Sequence, residues 1–570
     1  MNCLRLIFSV VCLVSNPLWA AEETLLPGYA VATAHPLATK AGLDILAAGG
    51  NAFDAAIAVS GVLAVVAPYH SGLGGGGFWL LHLEKEKQNV FIDGRETAPL
   101  KAHQDMFLDT RGQVIPGLSL NGGLAAAIPG EPAALVYMAE HYGRFPLSKS
   151  LAPAIAYAEE GFLVDEQFYQ STTMDDRLAM LQKFPDSAAV FLQENKPFPI
   201  GERLKQPDLA KTLRALAAKG HNGFYQGEVA QKLVDGVRAA GGIWTLKDLA
   251  AYHVMVRKPL ESAFHTLLIV TAPPPSAGGV SLITMLNILA NYPLASFSKV
   301  QWVHYLVESM RLAYWQRASY LGDPDFVKIP LERLVSSANA KYLSQLIPAE
   351  KALDSKKLQG DAANTESHST THFSILDKEG NRVSATLTVN YIFGSSVVAK
   401  GTGVLLNDEM DDFSTKVGER NVYGLIGSST NKIEPGKRPL SSMTPTFLEM
   451  PNRLAIVGTP GGSRIPTMLL LAALAFNDYQ GAITLVSHMR FHHQYLPDWL
   501  QVEPETFSPQ LQAQLKAMGY RLMQLKQYYG DMQAITWDKT SQLITAASDP
   551  RNEGLAIARE ANTDGYGFEH

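Results

Sequence analysis

The segment Ser369-Thr370-Thr371-His372 carries residue types suited to an unusual kind of catalysis. A threonine hydroxyl is a weak nucleophile unless a base takes its proton, and a threonine at the start of a chain carries such a base as its own α-amine. Thr370 lies in mid-sequence, so this role requires the Ser369–Thr370 bond to be cut, most economically by Thr370 attacking the preceding carbonyl. The residues that follow predict a β-hairpin. Thr371, Phe373 and Ile375 alternate with Thr370, His372 and Ser374; residues 377–381 form a turn; Val383, Ala385, Leu387 and Val389 alternate with Ser384, Thr386, Thr388 and Asn390. Period-two geometry gathers each polar set on one face, bringing Thr370, Thr388 and Asn390 toward a common surface. Thr388 is then placed to hydrogen-bond the Thr370 hydroxyl and orient it. From the hairpin alone, a solvated strand edge rich in hydroxyls is the simpler reading.

The elements that must hold such a site are legible in outline. Residues 37–48 read as an amphipathic helix stopped by Gly49-Gly50, and Asn51 caps a very apolar helix running to residue 66. Residues 78–83 and 89–93 read as strands. The stretch 129–355 is mostly helical, with clear helices at 207–219 and 300–320. Beyond Thr370 strands alternate with Gly/Asn/Ser/Pro turns, and one helix is expected near 466–476. Residues 351–369 are polar and aperiodic, the pattern of an exposed segment able to move after a cut.

Composition narrows the class. The chain has 570 residues, 46% hydrophobic and 18% charged, with 46 Gly and 32 Pro, as in a globular protein with a large core and many tight turns. Its net charge of −6 and lack of a long basic run argue against nucleic acid or an anionic membrane surface as partner. Residues 1–20 read as a secretory signal: Arg5 is the only charge, an apolar run covers 6–14, and Ala20 supplies the small residue at the cut. Both cysteines, Cys3 and Cys12, fall inside that segment, so the mature chain is expected to have no disulfide, thiol nucleophile or thiolate metal site. Later apolar runs are too short to span a bilayer. The expected product is a protein exported across the inner membrane to the periplasm, with no membrane anchor.

Five motifs occur in order along the chain: Asp93-Gly94-Arg95-Glu96-Thr97-Ala98-Pro99; Thr370-Thr371-His372; the run Asn407 to Ser414; Arg438-Pro439-Leu440-Ser441-Ser442-Met443-Thr444-Pro445; and Thr459-Pro460-Gly461-Gly462-Ser463-Arg464. Together they resemble the γ-glutamyltranspeptidases, also called glutathione hydrolases, of the N-terminal-nucleophile hydrolase superfamily. The resemblance covers nearly all of the mature chain. It implies an α+β fold, a four-layer αββα sandwich, built jointly by a large subunit (21–369) and a small catalytic subunit (370–570) after cleavage at Ser369–Thr370. It also implies a heterodimer, no cofactor and no metal.

The same resemblance assigns the site. Thr370 is the nucleophile, oriented by Thr388. Arg95 binds the α-carboxylate of a γ-glutamyl donor such as glutathione, since its planar fork suits bidentate pairing. Ser441 and Ser442 add hydroxyl donors. Asn390, Glu409 and Asp412 accept from the α-ammonium; some relatives carry glutamine at the position of Glu409, so this chain has one more negative charge. The backbone N–H groups of Gly461 and Gly462 form the oxyanion hole. Tyr423 marks the tip of a lid loop over the pocket. Water or an amino-acid or peptide amine completes the reaction.

Two rivals stand beside this reading: a β-lactam side-chain acylase of the same superfamily and, from a different class, a non-catalytic periplasmic binding protein retaining the fold. The G-x-G-x-x-G pattern at Gly72–Gly77 precedes a strand and follows a helix, the reverse of a dinucleotide site, and reads as a tight backbone crossing. His492-His493 reads as structural. No G-x-S-x-G elbow occurs.

Overall fold

The computed structural model describes residues 26–358, 369–416, 425 and 428–560. The expected signal segment and Tyr423 lie outside the described residues. Strand β1 (Gly28–Thr33) leads into helix α1 (Pro36–Ala47), whose N-terminus is capped by His35. Helix α2 (Ala52–Val66) follows the Gly49-Gly50 stop. Asn51 accepts from the N–H groups of Phe53 and Asp54, and the Asp54 carboxylate accepts from the Asn51 N–H, a reciprocal cap that satisfies otherwise orphaned donors. Every residue of α2 is buried, as its all-round apolar sequence requires.

The other elements that frame the site are strands β2 (Gly76–Leu83) and β3 (Gln88–Gly94), helix α3 (Glu131–His141), and strands β4 (Met255–Arg257), β5 (Leu260–Phe264) and β6 (Leu267–Thr271). Helices α4 (Gly278–Leu289) and α5 (Lys299–Tyr320) come next. The hairpin at Thr370 is β7 (Thr371–Leu376) and β8 (Arg382–Thr388). Strands β9 (Thr446–Met450) and β10 (Arg453–Gly458) lead to helix α6 (Ile465–Asn477), and β11 (Gln533–Asp538), β12 (Leu543–Ser548) and β13 (Leu555–Glu560) close the chain.

These strands form two antiparallel sheets, one of seven strands in the order β13-β1-β7-β8-β2-β3-β4 and one of six in the order β12-β11-β10-β9-β6-β5. They stack face to face. One apolar core lies between the seven-stranded sheet and α1 and α2; the other fills the space between the sheets and beneath α4, α5 and α6. The result is the expected αββα sandwich. Strands from both sides of the Ser369–Thr370 bond share each sheet.

The hairpin occupies the middle of the seven-stranded sheet, and every residue of β7 and β8 is buried. The solvated-edge reading therefore fails. The polar face of the hairpin meets the second sheet instead of water. Ser384 Oγ donates to the Val457 carbonyl at 3.2 Å and accepts from the Thr446 N–H at 3.0 Å, and Ser374 Oγ donates to the Gln533 carbonyl at 3.1 Å. His372 Nδ1 lies 2.9 Å from Thr386 Oγ1; burial pushes this imidazole down to about 3, which keeps it neutral. Alternation identified the two faces correctly, but a single sequence does not show that a second sheet will cover the polar one.

Two further differences appear. Residues 355–358 form a short 3-10 turn, and Ser355 is fully buried with its hydroxyl accepting from Arg311. The front part of the polar stretch 351–369 is thus largely exposed, as expected, but is pinned at Ser355, because a buried arginine needs its acceptors. The C-terminal part also has helices at Ala482–Ser487 and Pro509–Ala517 in addition to α6. The second of these had a readable start: Ser508 caps it and Pro509 occupies its first turn. The glycine run is the tight crossing expected of it. A Cβ on Gly74 would lie 1.9 Å from the Leu405 carbonyl oxygen, and one on Gly75 would lie 2.1 Å from that of Thr388. No helix among the described residues is long and apolar enough to cross a membrane.

Candidate active site

Thr370 enters β7 beside the end of β8, because the register pairs Thr371 with Leu387. Its hydroxyl donates to the Ser369 carbonyl oxygen and to Thr388 Oγ1 at 3.3 Å. Thr388 Oγ1 also accepts from the Asn390 N–H at 2.8 Å. Ser369 is fixed in turn, with its hydroxyl donating to the Tyr69 carbonyl at 2.8 Å. The hydroxyl thus lies against the peptide group it would have to attack, in a buried setting. Asn390 takes a left-handed backbone conformation with φ of 75°, which asparagine tolerates better than most residues. Its Nδ2 donates to the Asp408 carbonyl at 3.1 Å.

Arg95 follows directly on β3. The Arg95 N–H donates to Asp93 Oδ1 at 3.0 Å, and its carbonyl accepts from the Tyr252 hydroxyl at 2.8 Å. The guanidinium is buried. It pairs with the Glu409 carboxylate, with Asp412 Oδ2 at 2.5 Å and with the Pro439 carbonyl at 3.2 Å, and it lies 3.5 Å from Glu96 Oε2. The cation and acceptors assigned to opposite ends of a substrate head are therefore in direct contact. An amino-acid head group carries both complementary charges, so it can take the place of these pairs, its carboxylate on Arg95 and its ammonium on Glu409 and Asp412.

Asn407 holds the acidic turn Glu409–Asp412 in place. Its Oδ1 accepts from the N–H groups of Ala127 and Glu409, each at 2.9 Å, while its Nδ2 donates to the carbonyls of Gly74 and Ala127. Burial raises the carboxyls of Glu409 and Glu96 well above the ordinary range, and Arg95 opposes that shift. Both oxygens of Glu96 and one of Glu409 have no hydrogen-bond partner in the protein. Three carboxyl groups thus face one guanidinium, with protons favoured on the most buried of them.

Ser441 is tied to the turn before α4: its N–H donates to the Pro275 carbonyl at 2.9 Å, and its own carbonyl accepts from the Ala277 N–H at 2.8 Å. Gly461 and Gly462 join β10 to α6, with φ of 135° and 53°, conformations that cost least for glycine. Tyr314 of α5 donates to the Ser463 carbonyl and pins the loop from behind.

A single small cavity unites most of the residues singled out from sequence: Arg95, Thr370, Thr388, Asn390, Glu409, Asp412, Ser441, Ser442 and Gly462 all line it. Leu440, Met443 and Ile465 complete its walls. Gly461 lines a separate, larger cleft that shares Thr370 with this cavity and is also lined by Ser369. Sequence reasoning gave Glu96 and Asn407 no role of their own, although both stand inside quoted motifs. The apolar wall and Tyr314 carried no sequence signal, because core residues of ordinary type reveal nothing about which cavity they face.

An αββα sandwich with a threonine nucleophile candidate at the start of a central strand is the architecture of the N-terminal-nucleophile hydrolases. A family model for gamma-glutamyltranspeptidase matches residues 38–559, and the chain belongs to that family. It is 44% identical over 501 residues to a glutathione hydrolase proenzyme of Pseudomonas sp. (strain A14), covering 86% of each chain. It is 40% identical over 527 residues to the glutathione hydrolase proenzyme of Escherichia coli (strain K12), covering 92% of this chain and 90% of that one. Among solved structures, the cephalosporin acylase from Bacillus halodurans superimposes with a TM-score of 0.83 at 27% identity, covering 94% of this chain and 97% of that one.

Proposed function

We propose that this protein is a self-processing γ-glutamyltransferase and glutathione hydrolase whose nucleophile is Thr370. The observation that carries this reading is the position of the Thr370 hydroxyl, against the Ser369 carbonyl and Thr388 and at the wall of a pocket with a buried arginine beside two acids. In processing, Thr370 Oγ1 attacks the Ser369 carbonyl carbon. The C–N bond breaks, the nitrogen takes the hydroxyl proton, and water hydrolyses the resulting ester. The chain then consists of residues 21–369 and 370–570, held together as a heterodimer by the two sheets to which both contribute strands.

In turnover, Arg95, Ser441 and Ser442 hold the donor's α-carboxylate, and Asn390, Glu409 and Asp412 hold its α-ammonium. Thr370 Oγ1 attacks the γ-carbonyl while the N–H groups of Gly461 and Gly462 stabilise the developing oxyanion, an effect of about 10²–10³ in rate per donor. The α-amine of Thr370 protonates the leaving amine. Water or an amine resolves the γ-glutamyl ester. The Arg5-led apolar segment and Ala20 support export, and we place the mature enzyme in the periplasm.

A second reading, an acylase for substrates without the α-ammonium, is favoured by the likeness to the cephalosporin acylase. Glu409 and Asp412 argue against it, because a donor head with no cation leaves both acids without their exchange partner. The two part in a direct assay. Turnover of γ-glutamyl-p-nitroanilide with little turnover of glutaryl-p-nitroanilide supports the transferase reading, and the reverse ranking removes it.

A further inference from the structure

Arg317 stands in α5 one turn beyond Tyr314 as a buried cation with no counter-ion in contact. Its side chain is 6% exposed, and its Nε is sealed from solvent without an acceptor. Among the described residues its guanidinium makes no hydrogen bond and no ion pair. Arginine is rarely left unpaired at such burial, because leaving water is costly for a charge that gains no partner. Where a fold keeps a group on those terms, a functional use is the first explanation to test.

Its surroundings place Arg317 behind the donor-head pocket. Residues three apart share a helix face. On that face Tyr314 reaches the Ser463 carbonyl and packs with Leu425, which lines the pocket. Just past Arg317, the Leu321 carbonyl accepts from Thr430 Oγ1 at 2.7 Å, and the neighbouring Asn431 Nδ2 donates to the Asp412 carbonyl at 2.7 Å. The end of α5 and the acid Asp412 are thus tied to the same short segment. Burial pushes the Arg317 guanidinium below its usual value, and Tyr314 and Asp412 oppose that shift. Burial also keeps the Tyr314 hydroxyl neutral, so Asp412 is the anion that Arg317 senses.

The formal charges of the pocket show what such a cation can do. Burial keeps a proton on Glu96. With Glu409 and Asp412 both ionised, Arg95 balances only one of them. A γ-glutamyl head brings one carboxylate and one ammonium, so it leaves that deficit unchanged while its carboxylate draws the Arg95 fork from the acids. Both acids keep their charge for the ammonium more readily if a second cation acts on the site. In a pocket poor in water, a charge is felt well beyond contact distance.

We propose that Arg317 is a positioning residue for donor binding, the second cation that balances Glu409 and Asp412 when the donor's α-carboxylate occupies Arg95, so that both acids meet the α-ammonium as anions. The proposal rests on the γ-glutamyl-transfer reading above. Arg317 touches neither the donor nor the reacting atoms and acts through Asp412.

Arg317→Gln and Arg317→Lys test it, each checked for its two processed fragments; Arg317→Met gives the same readout should the glutamine variant fail to process. In Arg317→Gln the KM for γ-glutamyl-p-nitroanilide is expected to rise about tenfold, equivalent to about 1.4 kcal/mol, with kcat within about threefold of wild type. Arg317→Lys keeps the charge and recovers most of that loss. Glutaryl-p-nitroanilide, measured as a competitive inhibitor, has no ammonium for the acids, so its inhibition constant stays at the wild-type value. The melting temperature of Arg317→Gln stays at or above wild type, since an unpaired buried charge has been removed. An unchanged donor KM in Arg317→Gln would overturn the proposal. So would a rise that the lysine variant fails to reverse, or one matched by the glutaryl inhibitor and a drop in melting temperature, the mark of a merely structural role. Absence of p-nitroaniline release from the wild type would instead overturn the underlying transfer reading.

Discussion

Arg95 and Arg311 are both buried among acids, and the two clusters are built differently. Arg311 on α5 is saturated. Its Nε and Nη2 reach both oxygens of Glu308 at 3.0 and 3.3 Å, its Nη1 reaches Asp498 at 2.5 Å, and it also donates to Ser355. The acids have further partners, with Tyr520 donating to Glu308 at 2.6 Å and His493 Nε2 lying 3.0 Å from Asp498. Arg95 also has acids around it, yet both oxygens of Glu96 and one of Glu409 accept no hydrogen bond, and the cluster borders a cavity. The chemistry of the acids follows. His493 and Arg311 hold Asp498 well below the ordinary carboxylate range against its partial burial, whereas burial holds Glu96 and Glu409 above it. A network with every group paired fixes structure; one with acceptors left over at a cavity is suited to exchanging partners with a ligand.

Substituting each arginine by lysine separates the two most strongly. Arg95→Lys loses the planar fork at the donor head, and kcat/KM for γ-glutamyl-p-nitroanilide is expected to fall about 10²–10³-fold with little change in melting temperature. Arg311→Lys leaves Glu308 and Asp498 imperfectly paired, a loss on the order of 3 kcal/mol, so the melting temperature drops by several degrees while the donor KM stays near wild type. Equal effects of both variants on both readouts would erase the distinction.

Glu409→Gln gives a smaller and pH-dependent effect. Because the Glu409 carboxyl is held protonated to higher pH than usual, glutamine mimics it at the acid end, and the two enzymes should share a donor KM there. As pH rises and Glu409 ionises, the wild-type KM should fall below that of the variant, by up to about tenfold. A KM ratio independent of pH would contradict the charge assignment. Asp498→Asn reports on the other cluster with the opposite sign. A carboxyl depressed in the folded state adds stability above its unfolded value, near 3.8, and that stability is lost as pH falls toward the folded value. The melting-temperature deficit of Asp498→Asn should therefore be largest near neutral pH and shrink as the pH falls below about 4.

The same contrast marks what could be read from the sequence. The pocket residues were legible because they sit in short motifs with unusual chemistry: Arg95 beside Glu96, the acidic turn after Asn407, and two glycines between a strand and a helix. The Arg311 cluster was not. Its members, Glu308, Arg311, Ser355, Asp498 and Tyr520, are scattered over α5 and distant loops, and an arginine three residues after a glutamate reads as an ordinary exposed helix pair. Helices α1 and α2 were legible to within about a residue from a cap and a glycine stop, α5 from its length and aromatic content, and the hairpin from alternation. The second sheet above the hairpin was not, because alternation separates two faces without saying which one meets water. That omission is why Thr370 first read as part of a solvated edge and proved to be buried.

The reading stands or falls on the Ser369–Thr370 bond, and intact-mass and N-terminal analysis of the purified protein tests it most directly. Two polypeptides, the smaller beginning Thr370-Thr371-His372, are the expected result, with Thr370→Ala remaining a single chain without turnover. An active wild-type protein recovered as one uncut chain would contradict it.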